Sequence, residues 1–396
     1  MSDIEAVEFQ CGNCGAVNHL PFAKILDLQE SPSCGSCSTP LLRHLEQKYE
    51  HLDAKTYIHP LDDEAMAALK RIPGVTTMLR SLIRHSFELA TRLHHQANFV
   101  RVGPKQLPDL WNSFVHAGEC LGISLADLPE LYVYQDPVPN AYTFGVENNF
   151  VALSTGCLNL LDEEEILFVL AHELGHVHAD HVLYKSAARV FGSVASTVIQ
   201  ATMGLGSLVV YPIQIALLRW DRASELSCDR AALLVVKNPT VALRTLMKLS
   251  GGTEKLANEL DIDAFIEQAD QFGDMQDEGP LGRYLTVLQT LFRTHPYPIW
   301  RAKELLEWVG SGNFLEVLDG DYTKDNEGKV TCEACGSPIR EDAIICPQCG
   351  ASQPGSGADA DGEGEDGGDP SDPIGKTLKD IQGWYKRNFT DDDPPS

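Results

Sequence analysis

The sequence predicts an α+β protein, a mostly helical body with a small antiparallel or mixed sheet, set between two small cysteine-built modules. Three observations predict it. Apolar residues recur at helical spacing through most of 56–312. Two short β-rich runs, Leu131 to Tyr134 and Phe150 to Ser154, interrupt that pattern. Eight of the eleven cysteines fall into four Cys-x-x-Cys pairs, two near each end of the chain.

The terminal modules are the most sharply defined elements. Cys11/Cys14 and Cys34/Cys37 are separated by 19 residues, and Cys332/Cys335 and Cys346/Cys349 by 10, the second set with Gly336 and Gly350 following each pair. Two tight turns that each present two thiolates make a closed tetrahedral zinc shell with no open position for chemistry. Residues 1–45 and 330–351 are therefore expected to be zinc ribbons with a structural role or a role in holding protein partners. Segments this polar bury too little to fold without metal.

Residues 352–373 are rich in Gly, Ser, Pro and acid, with seven acidic and no basic residues from Asp359 to Asp372. That composition predicts a disordered linker. In 374–396, Ile374, Leu378, Ile381 and Tyr385 fall at helical spacing among Lys376, Lys379, Lys386 and Arg387. This short amphipathic segment is expected to dock on the body, in preference to a membrane surface.

The formal charge of −26 excludes nucleic acid as the main partner, since phosphate binding needs clustered Lys and Arg. Paired thiols on a chain whose N-terminus lacks the pattern of a secretory signal point to a reducing compartment. The expected location is the cytoplasm, with membrane association left open by one stretch considered below.

Within the body, Pro73-Gly74 is expected to break an early helical run and Pro104 to end another. Phe150 to Ser154 leads through a Gly156 turn to the key helix, which opens on a capping box of Asp162 and Glu165. Its apolar series Ile166, Leu167, Val169, Leu170, Leu174 and Val177 places His172-Glu173-Leu174-Gly175-His176 inside the helix. His172 and His176 then leave one face about one turn apart, so that two imidazoles reach one metal ion. Glu173 projects beside them, placed to take a proton from an attacking water.

A catalytic zinc needs three protein ligands and an open position. The metzincin pattern would require Gly and His where this chain has Ala179 and Val182, so that class is excluded. Glu225 in Glu225-Leu226-Ser227-Cys228-Asp229 fits a gluzincin arrangement: a second helix supplies the carboxylate, and Asp229, one turn on, supports a histidine ligand by hydrogen bonding. The neighbours His178, His181, Cys157 and Cys228 read as bland, the histidines as solvated or supporting residues and the cysteines as small core residues.

With these residues the sequence resembles the HtpX-like and CAAX-prenyl-protease-like zinc metallopeptidases, one gluzincin family. The resemblance runs from about Tyr57 to Leu306 and includes Pro139-Asn140-Ala141-Tyr142, His172-Glu173-x-x-His176, Glu225-x-x-x-Asp229, and His295-Pro296 followed by Arg301. It implies that His172, His176 and Glu225 bind zinc, that Glu173 activates water, and that Asp229 supports a ligand. His295 would donate a hydrogen bond to the tetrahedral intermediate, and Arg301 would clamp a ligand or base carboxylate. The expected activity is endopeptidase action on unfolded or damaged polypeptide, with one catalytic and two structural zinc ions. The strand Phe150 to Ser154, through Val151 and Leu153, with Asn140 and Ala141 close by, is the expected pairing surface for an extended substrate. The competing reading is an interaction or chaperone-like module with a silent protease core.

Val190 to Leu218 contains no charged residue, which on length alone raises a transmembrane reading. His176 precedes this stretch and Glu225 follows it, and both are expected on one metal, so an even number of crossings is required. Two spans need about forty residues. Gly204-Leu205-Gly206 divides the stretch into halves too short for that, and the expectation is a helical hairpin that packs on the body, joins subunits or makes peripheral membrane contact. The sequence leaves the oligomeric state unread.

Overall fold

The computed structural model describes residues 5–340 other than 43, 46–47, 50, 203–205, 254, 257–258, 278–296, 323–328 and 332–337. At the N-terminus β1 (Ala6–Gln10) and β2 (Val17–Pro21) pair antiparallel and the short α1 (Phe22–Leu26) follows. The turn between the strands carries Cys11 and Cys14. Gly15 holds φ +73°, a left-handed conformation that glycine adopts without a Cβ clash, and its N–H donates to the Cys11 carbonyl at 2.8 Å. The ribbon has no core of its own: Val7, Phe9, Leu20 and Ile25 belong to one apolar cluster with Trp308, Val309, Phe314 and Leu315.

The body begins with α2 (Pro60–Lys70), whose first turn is set by proline and by the His59 ring accepting the Leu61 N–H. The expected break at Pro73-Gly74 is present, with Gly74 at φ +71° before α3 (Val75–Leu82). A π-helical segment, Ile83–Glu88, continues directly into α4 (Leu89–Asn98). It brings Glu88 Oε1 onto the N–H groups of Val146, Glu147 and Asn148 at 3.3, 3.0 and 2.7 Å. Pro104 does not end this helix: Phe99 already turns extended and leads into β3 (Val100–Arg101), and Pro104 sits in the turn beyond.

After α5 (Pro108–Cys120) come β4 (Glu130–Tyr134), β5 (Ala141–Phe144) and β6 (Phe150–Ser154). The sheet is mixed, in the order β3-β4-β6-β5, with β6 parallel to β4 and antiparallel to β5. Thus β6 is central and fully buried, and β5 is the edge. The expected substrate pairing through Val151 and Leu153 is corrected on this point, because both edges of β6 already carry a strand. A central strand buried on both faces reads as a continuous apolar run, which does not say which neighbour lies outermost.

Ser154 caps the short α6 (Thr155–Leu160), and the Asp162–Glu165 capping box starts α7 (Glu163–His178). Next come α8 (Val182–Ala201) and the long α9 (Ser207–Val236), which form the expected helical hairpin. No helix among the described residues is long and apolar enough to cross a membrane. α10 (Pro239–Gly251), α11 (Ile262–Asp277), α12 (Pro298–Gly310) and α13 (Asn313–Asp319) complete the body. β7 (Lys329–Thr331) and β8 (Pro338–Arg340) pair antiparallel at the start of the segment expected to form the second ribbon. Its cysteines, Cys332, Cys335, Cys346 and Cys349, lie outside the described residues, as do the linker and the C-terminal segment.

The helix α7 is sandwiched between sheet and α9. Leu131, Val133, Val151 and Leu153 on one sheet face join Phe168, Leu170, Ala171 and Leu174 of α7 in one core. The opposite face, through Tyr132, Phe144, Phe150 and Ala152, packs on Ile83, Tyr184, Ala187 and Trp220. Close approach of α7 and α9 depends on Gly175: a Cβ there would lie 3.0 Å from the Ala231 Cβ and 3.4 Å from the Cys228 backbone.

Candidate metal centre

The contact of α7 with α9 brings three buried side chains together. His172 Nε2 lies 3.4 Å from Glu225 Oε2, and His176 Nε2 lies 3.3 Å from Glu225 Oε1. Both Nε2 atoms are buried and neither has a hydrogen-bond partner in the structure. Two inward-facing imidazole nitrogens with a carboxylate, all within 4.8 Å of one another, match the ligand set of a three-ligand zinc site. The donor chemistry and the orphaned nitrogens therefore fit the metal.

Around the ligands the charges are arranged in opposed pairs. Asp229 Oδ1 is 3.0 Å from His172 Nδ1, which fixes that ring with its other nitrogen toward Glu225. Arg301 on α12 grips Asp229 through Nε at 2.7 Å and a second guanidinium nitrogen, and its Nη1 lies 3.6 Å from Glu225 Oε2. The carboxylate that Arg301 clamps is thus Asp229 first and the metal ligand second. Burial alone would raise the Asp229 pKa, but the Arg301 charge holds it below the usual range. Burial would lower that of His172, yet the hydrogen bond to Asp229 and the nearby negative charge of Glu225 push it up to about 9 in the metal-free protein. His176, desolvated and close to Lys185, is instead held neutral, the form that ligates metal.

Lys185 is the largest surprise. It is buried on α8 and binds Glu225 Oε1 directly, with Asp221 Oδ1 at 3.1 Å. These carboxylates overcome the burial penalty and keep its pKa above the ordinary value. Glu225 is therefore flanked by two buried cations. No sequence signal distinguished Lys185, which lies in the polar start of a helix whose later part is uncharged.

Glu173, the expected base, is buried beside the ligands and is held by Thr143 of β5, whose hydroxyl donates to Glu173 Oε2 at 2.7 Å. Sequence reasoning missed Thr143, although it directly follows the Pro139-to-Tyr142 motif. Asn140 is fastened to the central strand: its N–H donates to Ser154 Oγ and its carbonyl accepts the Ser154 N–H, both at 2.9 Å. In an antiparallel pair these bonds alternate along the strand. The main-chain groups of Ala141 and Thr143 therefore point away from β6, toward the outer edge.

His181 takes the supporting role, one of its two expected readings, and Cys228 is buried, as expected of a small core residue, but also meets a ligand ring. His181 Nδ1 and Cys228 Sγ both face His176 Nδ1, at 3.3 and 3.0 Å, and burial pushes the Cys228 thiol well above its usual range. His178 is half-buried against Tyr57, whose hydroxyl meets its Nδ1 at 2.8 Å. Cys157 is a small core residue, as expected. His295 lies outside the described residues.

At the N-terminal ribbon, Cys11 Sγ is 3.7 Å from Cys37 Sγ, and Cys14 Sγ is 3.7 Å from Cys34 Sγ. A tetrahedron with zinc–sulfur bonds of about 2.3 Å has edges close to these distances. Hydrogen bonds from Thr39, and then Asn13, lower the Cys37 pKa to about 5, so a thiolate is ready for metal.

A His-Glu-x-x-His helix completed by a carboxylate from a second helix defines a metallopeptidase of the gluzincin kind. The chain belongs to peptidase family M48, whose model matches residues 109–309. It is 38% identical over 284 residues to the plastoglobule-localized metallopeptidase 48, chloroplastic, of Arabidopsis thaliana, covering 71% of this chain and 80% of that one. It is 28% identical over 230 residues to a protease HtpX homolog of Campylobacter curvus, covering 52% and 77% of the two chains. With the HtpX homolog of Campylobacter concisus it shares 30% identity over 201 residues, 45% of this chain and 67% of the relative. No solved structure matches the chain.

Proposed function

We propose that the chain is a zinc-dependent endopeptidase that hydrolyses peptide bonds of unfolded or damaged polypeptides. The observation that carries this reading is the convergence of His172, His176 and Glu225, with two orphaned Nε2 atoms turned toward one carboxylate. Zinc held there supplies a Lewis acid and lowers the pKa of water. Glu173 takes the proton of the attacking water and returns it to the leaving amine. Thr143 fixes the direction of that carboxyl group.

The substrate strand belongs on the outer edge of β5, paired with the main chain of Ala141 and Thr143. Pairing there recognises extended backbone, which folded proteins seldom offer. Because the Thr143 side chain also holds Glu173, substrate register and base are set by one residue. The α8–α9 hairpin, which exposes Tyr211 and Ile215, is the surface for peripheral membrane contact.

Cleavage of casein and of a quenched peptide by the wild type and by Glu173→Gln, with zinc measured in both, tests the function. The variant is expected to keep its zinc and lose roughly 100- to 10,000-fold in turnover. Equal turnover in the two proteins would end the protease reading.

A further inference from the structure

We propose that Asp62, on α2 and outside the family-matched span of 109–309, is a positioning residue for the metal ligand His176, acting through His181. The inference rests on the reading of His176 as a ligand and adds a support that the ligand motif does not contain.

His181 and Asp62 are both buried, with His181 Nε2 3.2 Å from Asp62 Oδ2. Asp62 itself is held on two further sides: Trp220 Nε1 donates to Oδ1 at 2.8 Å, and the Ser227 hydroxyl donates to Oδ2 at 2.5 Å. A carboxylate held this way is an acceptor only, so it fixes the proton of His181 on Nε2. That leaves the lone pair of His181 on Nδ1, the atom that faces His176 Nδ1 at 3.3 Å. His176 Nδ1–H donates to it, and the Nε2 lone pair of His176 is thereby turned toward Glu225 and the metal position. The chain Asp62–His181–His176 does for the second histidine what Asp229 does for the first. An imidazole is interposed because Asp62 reaches the site from a helix beyond α9.

The same segment makes three more contacts with the metal helices and their neighbours. Tyr57 meets His178 at the end of α7, and His59 donates its N–H to Ser227 on α9 while its Nε2 lies 3.2 Å from Glu304 on α12. Residues 57–62 thus belong to the catalytic unit in space.

Asp62→Asn, His181→Gln and the double variant test the inference. The rate of zinc loss from the His-Glu site to excess chelator is measured along with the visible spectrum of the cobalt-substituted site, and circular dichroism checks the fold. Each single variant is expected to lose zinc about tenfold faster than wild type and to shift the cobalt bands. The double variant should be no worse than His181→Gln, since Asp62 acts through that ring. Wild-type rates and spectra in the single variants would overturn the proposal. So would additive effects in the double variant, or a Cys228→Ala variant that loses zinc rapidly while His181→Gln does not, which would place the His176 proton on sulfur. Should Asp62→Asn fail to fold, His181→Gln with its cobalt spectrum decides alone. A His176→Ala variant retaining as much zinc as wild type would refute the ligand reading itself, independently of Asp62.

Discussion

The chemistry of the site depends on a few side chains whose partners come from elsewhere in the chain. Thr143 is one: without its hydroxyl the Glu173 carboxyl keeps its place in the helix but loses its aim. Thr143→Val, nearly the same shape, should lower kcat by about 10- to 100-fold with zinc content unchanged, measured by steady-state kinetics and metal analysis. Lys185 is another. Removing it leaves Glu225 and Asp221 buried without their shared cation, so Lys185→Met should destabilise the metal-free protein by about 3–5 kcal/mol in urea unfolding. The loss should be smaller in the zinc-loaded protein, where the metal's charge balances Glu225. Neither residue was legible in the sequence. His172, Glu173 and His176 were, because the spacing rules of a helix state which side chains share a face, and Glu225 and Asp229 were through their match to the second-helix motif of the family that the sequence resembles. A partner across the fold, such as Thr143 for Glu173 or Asp62 for His181, has no fixed spacing to read.

At the scale of elements, boundaries set by local chemistry agree with the sequence. The Asp162–Glu165 box starts α7, and the uncharged stretch folds as a hairpin with its break between Ala201 and Ser207. Sheet order was not legible, since it is decided by pairing between distant segments; β3 and β5 are short, β5 is an outer strand and β6 is not, and the substrate pairing proposed above therefore falls on β5. That change is testable with peptides carrying N-methyl groups at single positions near the cleaved bond. Alternate methylations should abolish cleavage and the intervening ones leave it nearly intact, the signature of strand pairing; uniform cleavage along the series would exclude pairing at β5. The crossing of α7 and α9 makes its own demand. Gly175→Ala pushes against Ala231 and the Cys228 backbone, and should cost about 1–3 kcal/mol in denaturant unfolding.

For the whole molecule, three zinc ions per chain are expected by metal analysis, and chelator should remove the His-Glu ion before the thiolate-bound ones. Acid should weaken the fold in a defined range. Asp229 and Glu304 have pKa values held below their ordinary 3.8 and 4.5, against the effect of burial, by Arg301 and by His59 respectively. The unfolded chain therefore takes up protons first as pH falls. Stability from these groups is complete above about pH 4.5 and is lost as pH drops through their folded values, which thermal melts of the metal-free protein between pH 6 and 3 would register. The N-terminal cysteine cluster was legible from cysteine spacing, whereas the merging of that module into the body was not, because the apolar residues that join them lie far apart in the sequence.

That merging makes two distant parts of the described chain depend on each other for burial. Val7 faces Gly312, the His44 N–H donates to the Leu318 carbonyl, and Tyr49 meets Tyr322 edge-on. The apolar face of β1 and β2 is covered only when Trp308, Val309, Phe314 and Leu315 have packed against it.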